Sequence, residues 1–228
     1  MCGRFAVSSS GEELGSYFDV DELDAYKLAP AWNIKPTQQI PVVLQSAKGE
    51  AEARYRLEQG RWSLLPQWAK EPKLKYPTFN ARSETAAEKT TFKASVRSKR
   101  AIIPATGYYE WKTVGKTKTP YFIYDPAQLI AFAGLYTWWR PPGGTDDDWI
   151  LTATILTREA VGDLQNIHDR TPVTLPRHLH DIWLDAGTVG DQALVDAAVE
   201  AATPVAASLQ FHQVGPVTGD DPDLINPL

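Results

Sequence analysis

Cys2 is the single cysteine of this 228-residue chain, and it stands in the string Met1-Cys2-Gly3-Arg4-Phe5. A residue this small at position two is one behind which the initiator Met1 is expected to be trimmed. The mature chain would then begin with a 1,2-aminothiol. Its α-amine titrates near pH ~7.7–8.0 and its thiol near ~8.5, so both are partly in reactive form at neutral pH. An internal cysteine cannot offer this pair. The competing reading is a small buried hydrophobe at a chain end.

Three further segments carry polar groups that a plain core does not need. In Phe79-Asn80-Ala81-Arg82-Ser83-Glu84, an extended backbone puts Asn80 and Arg82 on one side, an amide beside a guanidinium. That pair suits a sugar oxygen and a phosphate; a loop with a surface arginine is the plainer account. In Gly107-Tyr108-Tyr109-Glu110-Trp111, a mid-strand carboxylate among aromatics tends to a raised pKa, which suits proton shuttling near neutrality. An exposed Glu110 paired with Lys112 fits the same string. In Asn166-Ile167-His168-Asp169-Arg170-Thr171-Pro172, His168 has several polar neighbours, whereas His178 and His180 read as helix-surface residues. One cysteine and scattered histidines give no metal-ligand spacing, so neither a metal nor another cofactor is expected.

These groups need elements to hold them. Ser8–Ser10 read as cap signals for a helix over Gly11–Asp19. Runs over 39–45 and 53–57 flank a turn at 46–49 in a hairpin pattern, and 61–65 extends it. Thr85-Ala86-Ala87-Glu88 matches a capping box and predicts a helix start. Five β-type runs follow, at 101–104, 108–112, 121–124, 129–137 and 149–156. Helices are expected over 158–167, 178–185 and 191–202. The Pro-, Gly- and Asp-rich tail 214–228 reads as an irregular strap. Strands in the middle with helices at the flanks favour an α+β fold with antiparallel sheets. Nothing resembles a linker, so one domain over 1–228 is expected.

Bulk composition narrows the class. Apolar residues make up 43% of the chain, enough for a core and against intrinsic disorder. No apolar run approaches the ~20 residues of a membrane span, and no signal-peptide pattern is present. A lone cysteine fits a reducing compartment, and a cytoplasmic protein is expected. The net charge of −5 argues weakly against nucleic acid. Local runs at 54–61, 70–75 and 89–100 are basic, however, and local field attracts phosphates; a solvated helix face explains the last run equally well. Eight tryptophans exceed what a core of this size needs, and some are candidates for stacking on bases.

Taken together the segments resemble the SRAP family, the SOS response-associated peptidase-like proteins. The matching strings are Met1–Phe5, Trp32–Thr37, Arg61–Ala69, Asn80–Thr85, Arg100–Trp111, Ala133–Tyr136 and His168–Val173. They span positions 1 to about 175, and the tail 223–227 is also similar. The sequence departs from the common family wording at Trp32, at Tyr109, at Thr171 and in the tail 215–221. The resemblance implies a compact α+β domain of curved, barrel-like antiparallel sheets. It implies binding of single-stranded DNA and covalent trapping of abasic sites, by a thiazolidine between terminal Cys2 and the ring-opened deoxyribose. By match to the family motifs, Glu110 would shuttle protons, Asn80 would hold the sugar, and His168 would act on the ring oxygen. Arg4 and Arg82 would hold flanking phosphates, with Trp62 and Trp68 stacking or wedging along the DNA path. The partner expected is single-stranded DNA carrying abasic sites, with no membrane and no metal. The protein is expected to be a monomer, associated with the nucleoid when bound to DNA. An alternative in a different class is a thiol peptidase that removes its own Met1 or cleaves peptides.

Overall fold

A computed structural model describes residues 2–23, 27–46 and 54–228. Met1, and with it the expected trimming, lies outside the described residues, as does the turn at 47–49. Twelve strands are present among the described residues: β1 (Phe5–Val7), β2 (Ala31–Ile34), β3 (Gln39–Ser46), β4 (Arg54–Trp62), β5 (Asn80–Arg82), β6 (Arg100–Ala105), β7 (Gly107–Val114), β8 (Thr117–Tyr124), β9 (Ile130–Trp139), β10 (Ile150–Glu159), β11 (Arg170–Pro172) and β12 (Gln210–Gln213). The α-helices are α1 (Gly11–Tyr17), α2 (Lys93–Ser98), α3 (His180–Leu184) and α4 (Gln192–Ser208).

The strands form two sheets. One runs β12-β8-β7-β1-β2. In the other, β10 pairs with both β4 and β9, so β10-β4-β3-β6-β9 closes on itself as a barrel. Closure removes the free edges that an open sheet must protect. The expected antiparallel pairing holds through most of both sheets. Two short contacts are parallel, because β10 runs alongside β4 at Thr152–Ala153 and alongside β5 at Ile155–Thr157. The second of these contacts positions Asn80 and Arg82.

The core lies between the sheets. The Phe5 ring meets Trp62 edge-on at 4.9 Å and Phe132 at 6.1 Å, and Tyr108 meets Phe132 at 5.8 Å. The Tyr108 hydroxyl shares a 2.8 Å hydrogen bond with Thr171, which ties β7 of one sheet to β11 of the other. Gly107 is required just before this point. A Cβ there would fall 2.3 Å from the Phe122 ring and 2.6 Å from the Ile123 carbonyl oxygen.

The Ser10 capping box that starts α1 is present: its hydroxyl accepts from Glu13 N–H at 3.2 Å, and the Glu13 carboxylate accepts from Ser10 N–H at 2.7 Å. In α4, Asp191 caps the first turn, and buried Val195, Ala198, Ala202 and Ala206 share the inward face. This helix outruns its expected end at Ala202 and passes through Pro204 to Ser208. Tertiary packing of the alanine face outweighs the local cost of one missing hydrogen bond.

Four sequence expectations are corrected. No helix starts at Thr85, which ends a 3-10 turn over Ser83–Thr85; α2 begins at Lys93 instead. The Gln192 side chain takes the Ser83 carbonyl and the Ala87 N–H, so side-chain partners occupy backbone groups of this segment. Residues 158–167 do not form a helix. Arg158 and Glu159 continue β10 against β11, Ala160 N–H bonds to Asp169 O, and only Gly162–Asn166 turn, as a 3-10 helix. Arg100 does not join the exposed basic run. It is buried and donates to the carbonyls of Val96, Arg97, Trp183, Asp185 and Thr188, closing the C-terminal ends of α2 and α3.

His180 is likewise buried, not on the helix surface, and it stacks on Phe18 at 5.6 Å. Burial, reinforced by Arg177, pushes its pKa down to about 4. A depressed histidine binds its proton more weakly in the folded state than in the unfolded one. Its contribution to stability is therefore complete above the unfolded value of ~6.5 and is lost as pH falls from there toward 4, by up to about 3 kcal/mol. The urea midpoint should drop between pH 7 and pH 4.5. In a His180→Phe variant that part of the drop should vanish; equal drops in both proteins would show that His180 is not the group responsible.

Candidate active site

Cys2 is fully buried in the core between the sheets. Its backbone carbonyl accepts a 2.6 Å hydrogen bond from Asn80 Nδ2, and its thiol lies 3.8 Å from the Arg4 carbonyl oxygen. Burial, reinforced by the charge of Glu110, pushes the thiol far above its usual range. In the chain that carries Met1, burial thus holds the thiol in its protonated form.

Glu110 sits on β7 opposite Tyr121 and is 4% exposed. It is not the exposed partner of Lys112. Burial raises its pKa, and the proximity of His168 partly opposes that rise. The carboxyl group thus lies within electrostatic reach of both the Cys2 thiol and the imidazole. Tyr108, two residues earlier on the same strand, feels both Cys2 and Glu110, and burial raises its hydroxyl in turn.

Asn80 begins β5. Two bonds fix the preceding residue, since Phe79 O accepts from Ile155 N–H at 3.1 Å and from Trp62 Nε1–H at 2.8 Å. Asn80 Nδ2 is used by Cys2, while Asn80 Oδ1 is buried and has no hydrogen-bond partner among the described residues. A buried amide oxygen left in this state is ready to accept from an incoming hydroxyl or amine.

His168 follows the 3-10 turn over Gly162–Asn166, its N–H bonded to Leu164 O. Its Nδ1 accepts from Arg170 N–H at 2.9 Å and lies 2.7 Å from an Asp169 carboxylate oxygen. Arg170 grips Glu84 through two bonds of 2.6 and 3.0 Å and also donates to Thr157 O. This fork holds the His168 loop against the segment that carries Asn80.

The four groups expected to do chemistry, Cys2, Asn80, Glu110 and His168, therefore come from four separate parts of the chain into one cluster. The expected DNA-contacting residues divide. Arg82 is exposed. Arg4 is half-buried and donates to Asn33 Oδ1 at 2.8 Å, while Asn33 is itself held by Gly219 O and Asp220 of the tail strap. Trp68 is 59% exposed and lines a cleft with Arg140 and Trp149. Trp62 is 0% exposed and cannot stack on a base. Its place in Arg61-Trp62-Ser63, among polar residues, suggested exposure; in the fold it packs edge-on against Phe5 and Phe79 and anchors the strand that presents Asn80. Sequence reading missed the residues that hold the site together, Asn33, Thr171 and Arg170. Arg170 and Thr171 lie inside the His168 motif, which was the available signal. Among the described residues, no group of three or more His, Cys, Asp or Glu comes together as a metal site, and no helix is long and apolar enough to cross a membrane.

Fold and site together define an α+β protein, part barrel, in which a buried thiol and carboxyl meet a half-buried amide and imidazole. The chain belongs to the SRAP family (SOS response associated peptidase), whose family model matches residues 1–220. It is 38% identical over 188 residues to abasic site processing protein YoqW of Bacillus subtilis (strain 168), covering 81% of this chain and 80% of that one. It is 33% identical over 227 residues to abasic site processing protein HMCES of Xenopus tropicalis, covering 83% and 67%. Among solved structures it matches a protein from Bacteroides thetaiotaomicron at a TM-score of 0.82 over 100% of both chains, with 20% identity, a likeness of fold. A phage-related protein from Bordetella bronchiseptica matches at 0.70 with 27% identity, over 93% of this chain and 94% of that one.

Proposed function

We propose that this protein processes abasic sites in single-stranded DNA by covalent capture on Cys2. The observation that carries the reading is the meeting of Cys2, Asn80 and Glu110, with Asn80 Nδ2 on the Cys2 carbonyl at 2.6 Å and the Glu110 charge acting on the thiol. The similarity to abasic site processing proteins supports the substrate.

The chemistry follows from the groups. With Met1 removed, the Cys2 amine adds to the aldehyde carbon of the ring-opened deoxyribose. The resulting hydroxyl leaves as water when a proton is supplied, giving an imine. Glu110, protonated to higher pH than an ordinary carboxyl, supplies that proton. The carboxylate then takes the Sγ proton, the thiolate sulfur bonds to the carbon of the protonated imine, and the C=N electron pair moves onto nitrogen, which keeps its one proton. A five-membered thiazolidine and one water result, with no net oxidation. A buried thiol that keeps its proton needs this base, so capture waits until the aldehyde is in place. Ring closure is intramolecular, and well-oriented cases reach effective molarities of ~10⁵–10⁸ M. Asn80 Oδ1 would accept from a sugar hydroxyl, and His168 would exchange a proton with the ring oxygen as the sugar opens.

The test is a denaturing gel of protein with single-stranded DNA carrying one uracil, with and without uracil glycosylase. A heat-tolerant shifted band is expected only with the glycosylase; its absence would sink the covalent reading. A second reading, self-removal of Met1, is favoured by covalent adjacency. Attack of the Cys2 thiol on the carbonyl carbon of the residue before it would pass through a five-membered ring. Intact mass should show Met1 absent from wild type.

Phosphate contacts make a separate, quantitative prediction. Non-covalent affinity for single-stranded DNA should fall with salt at a log–log slope of about −0.7 per phosphate neutralised, and Arg82→Ala should make the slope shallower by about 0.7. An unchanged slope would remove Arg82 from the DNA path.

A further inference from the structure

A cleft of ≈370 Å³ opens beside Asn80, the residue whose side chain also holds the Cys2 carbonyl. Pro77, Phe79 and Phe92 contribute its apolar wall, and Tyr76 stands at its mouth. Tyr76 is 70% exposed, with Lys75 Nζ 5.4 Å from its ring centroid. The rim carries the cations Arg82 and Lys89, both exposed, and among the described residues no carboxylate lines the cleft. A large aromatic held in water at the mouth of an apolar slot invites a flat partner, and two cations at the rim fit a partner joined to phosphates. The volume falls in the range of small-ligand sites. Phe79 is rigidly held, since Trp62 and β10 fix its backbone oxygen and Trp62 packs edge-on against its ring at 5.7 Å.

We infer that this cleft is a nucleobase subsite, which takes the intact base next to the abasic residue and stacks it against Tyr76 while Arg82 and Lys89 hold its phosphates. The inference rests on the reading of single-stranded DNA as substrate, and deepens it. Asn80 links the two sites. A base seated in the cleft draws the adjoining sugar toward Asn80 Oδ1 and Cys2, so the subsite orients the deoxyribose for capture. The protein would then discriminate between an isolated abasic residue, flanked by bases, and a run of consecutive ones.

The experiment uses single strands that contain a tetrahydrofuran residue, a stable abasic analogue that cannot open to an aldehyde and so reports binding alone. In one strand its neighbours are normal nucleotides; in two others the 5′ or the 3′ neighbour is itself a tetrahydrofuran. Wild-type protein should bind the first strand roughly 5- to 150-fold more tightly than one of the other two, the range for losing one stacked base. In Tyr76→Ala, and in Thr91→Trp, which fills the cleft from its wall, that ratio should fall toward one. A wild-type ratio near one for both neighbours, or a ratio unchanged in both variants, overturns the subsite. Cross-linking to glycosylase-treated DNA is measured in parallel. If base dependence appears without any covalent adduct, the subsite stands and the capture chemistry falls. An adduct without base dependence removes the subsite and leaves the capture chemistry standing.

Discussion

Cys2→Ala should abolish the heat-tolerant adduct with abasic single-stranded DNA, a loss of at least ~100-fold in yield, because the ring-closing step has no sulfur. Where its intact mass shows Met1 removed without the thiol, the variant keeps a terminal amine on residue 2. It should therefore still form an imine, visible on the gel only when borohydride is added to reduce it. This separates the roles of amine and thiol within one residue. Cys2→Ser should behave the same way, since a hydroxyl is a far weaker nucleophile toward the imine. Removal of one buried sulfur should cost the fold on the order of 1 kcal/mol, so a thermal midpoint within a few degrees of wild type guards against a trivial loss. If Cys2→Ala cross-links as well as wild type without borohydride, the aminothiol mechanism is wrong.

Glu110→Gln should slow adduct formation by ~10²–10⁴-fold, the usual worth of a positioned general acid–base group, and leave non-covalent DNA affinity nearly unchanged. The pH profile gives the sharper test. Burial raises the Glu110 pKa, so the acid form persists above the normal carboxyl range and is lost as pH rises through the raised value. Wild-type imine formation should decline along that limb, and the Gln variant should lack the decline. A variant with wild-type rate, or one that keeps the same limb, would reassign the proton transfers, with His168 the next group to test.

Several of these features were legible along the chain. The β-type runs at 101–104, 108–112, 121–124, 129–137 and 149–156 each correspond to a strand, because short apolar and aromatic runs bounded by turn residues are a local signal. The Ser10 cap and the Asp191-led helix were readable for the same reason. Failures came where distant groups claim the backbone. Thr85-Ala86-Ala87-Glu88 has the letters of a capping box, yet Gln192 arrives from α4 and takes the Ser83 carbonyl and Ala87 N–H. Arg158 and Glu159 had helical neighbours in sequence and were taken by β11. Arg100 looked like one charge among five in a basic run, and only the ends of α2 and α3 reveal its five carbonyl acceptors.

By its own letters the chain determined which residues are equipped for chemistry: one thiol near the start, an amide beside an arginine, a carboxyl among aromatics and a histidine in a polar string. Residue type and short-range spacing suffice for that. Tertiary structure alone decided that Cys2, Asn80, Glu110 and His168 meet, that the thiol is buried and keeps its proton, and that Trp62 supports the site from beneath. Burial and proximity are set by strands distant in sequence. The parallel contact of β5 with β10 brings Asn80 to Cys2, and the closed barrel excludes water from Trp62. A pKa depends on the dielectric around a group and on the charges beside it, and both are properties of the packed molecule.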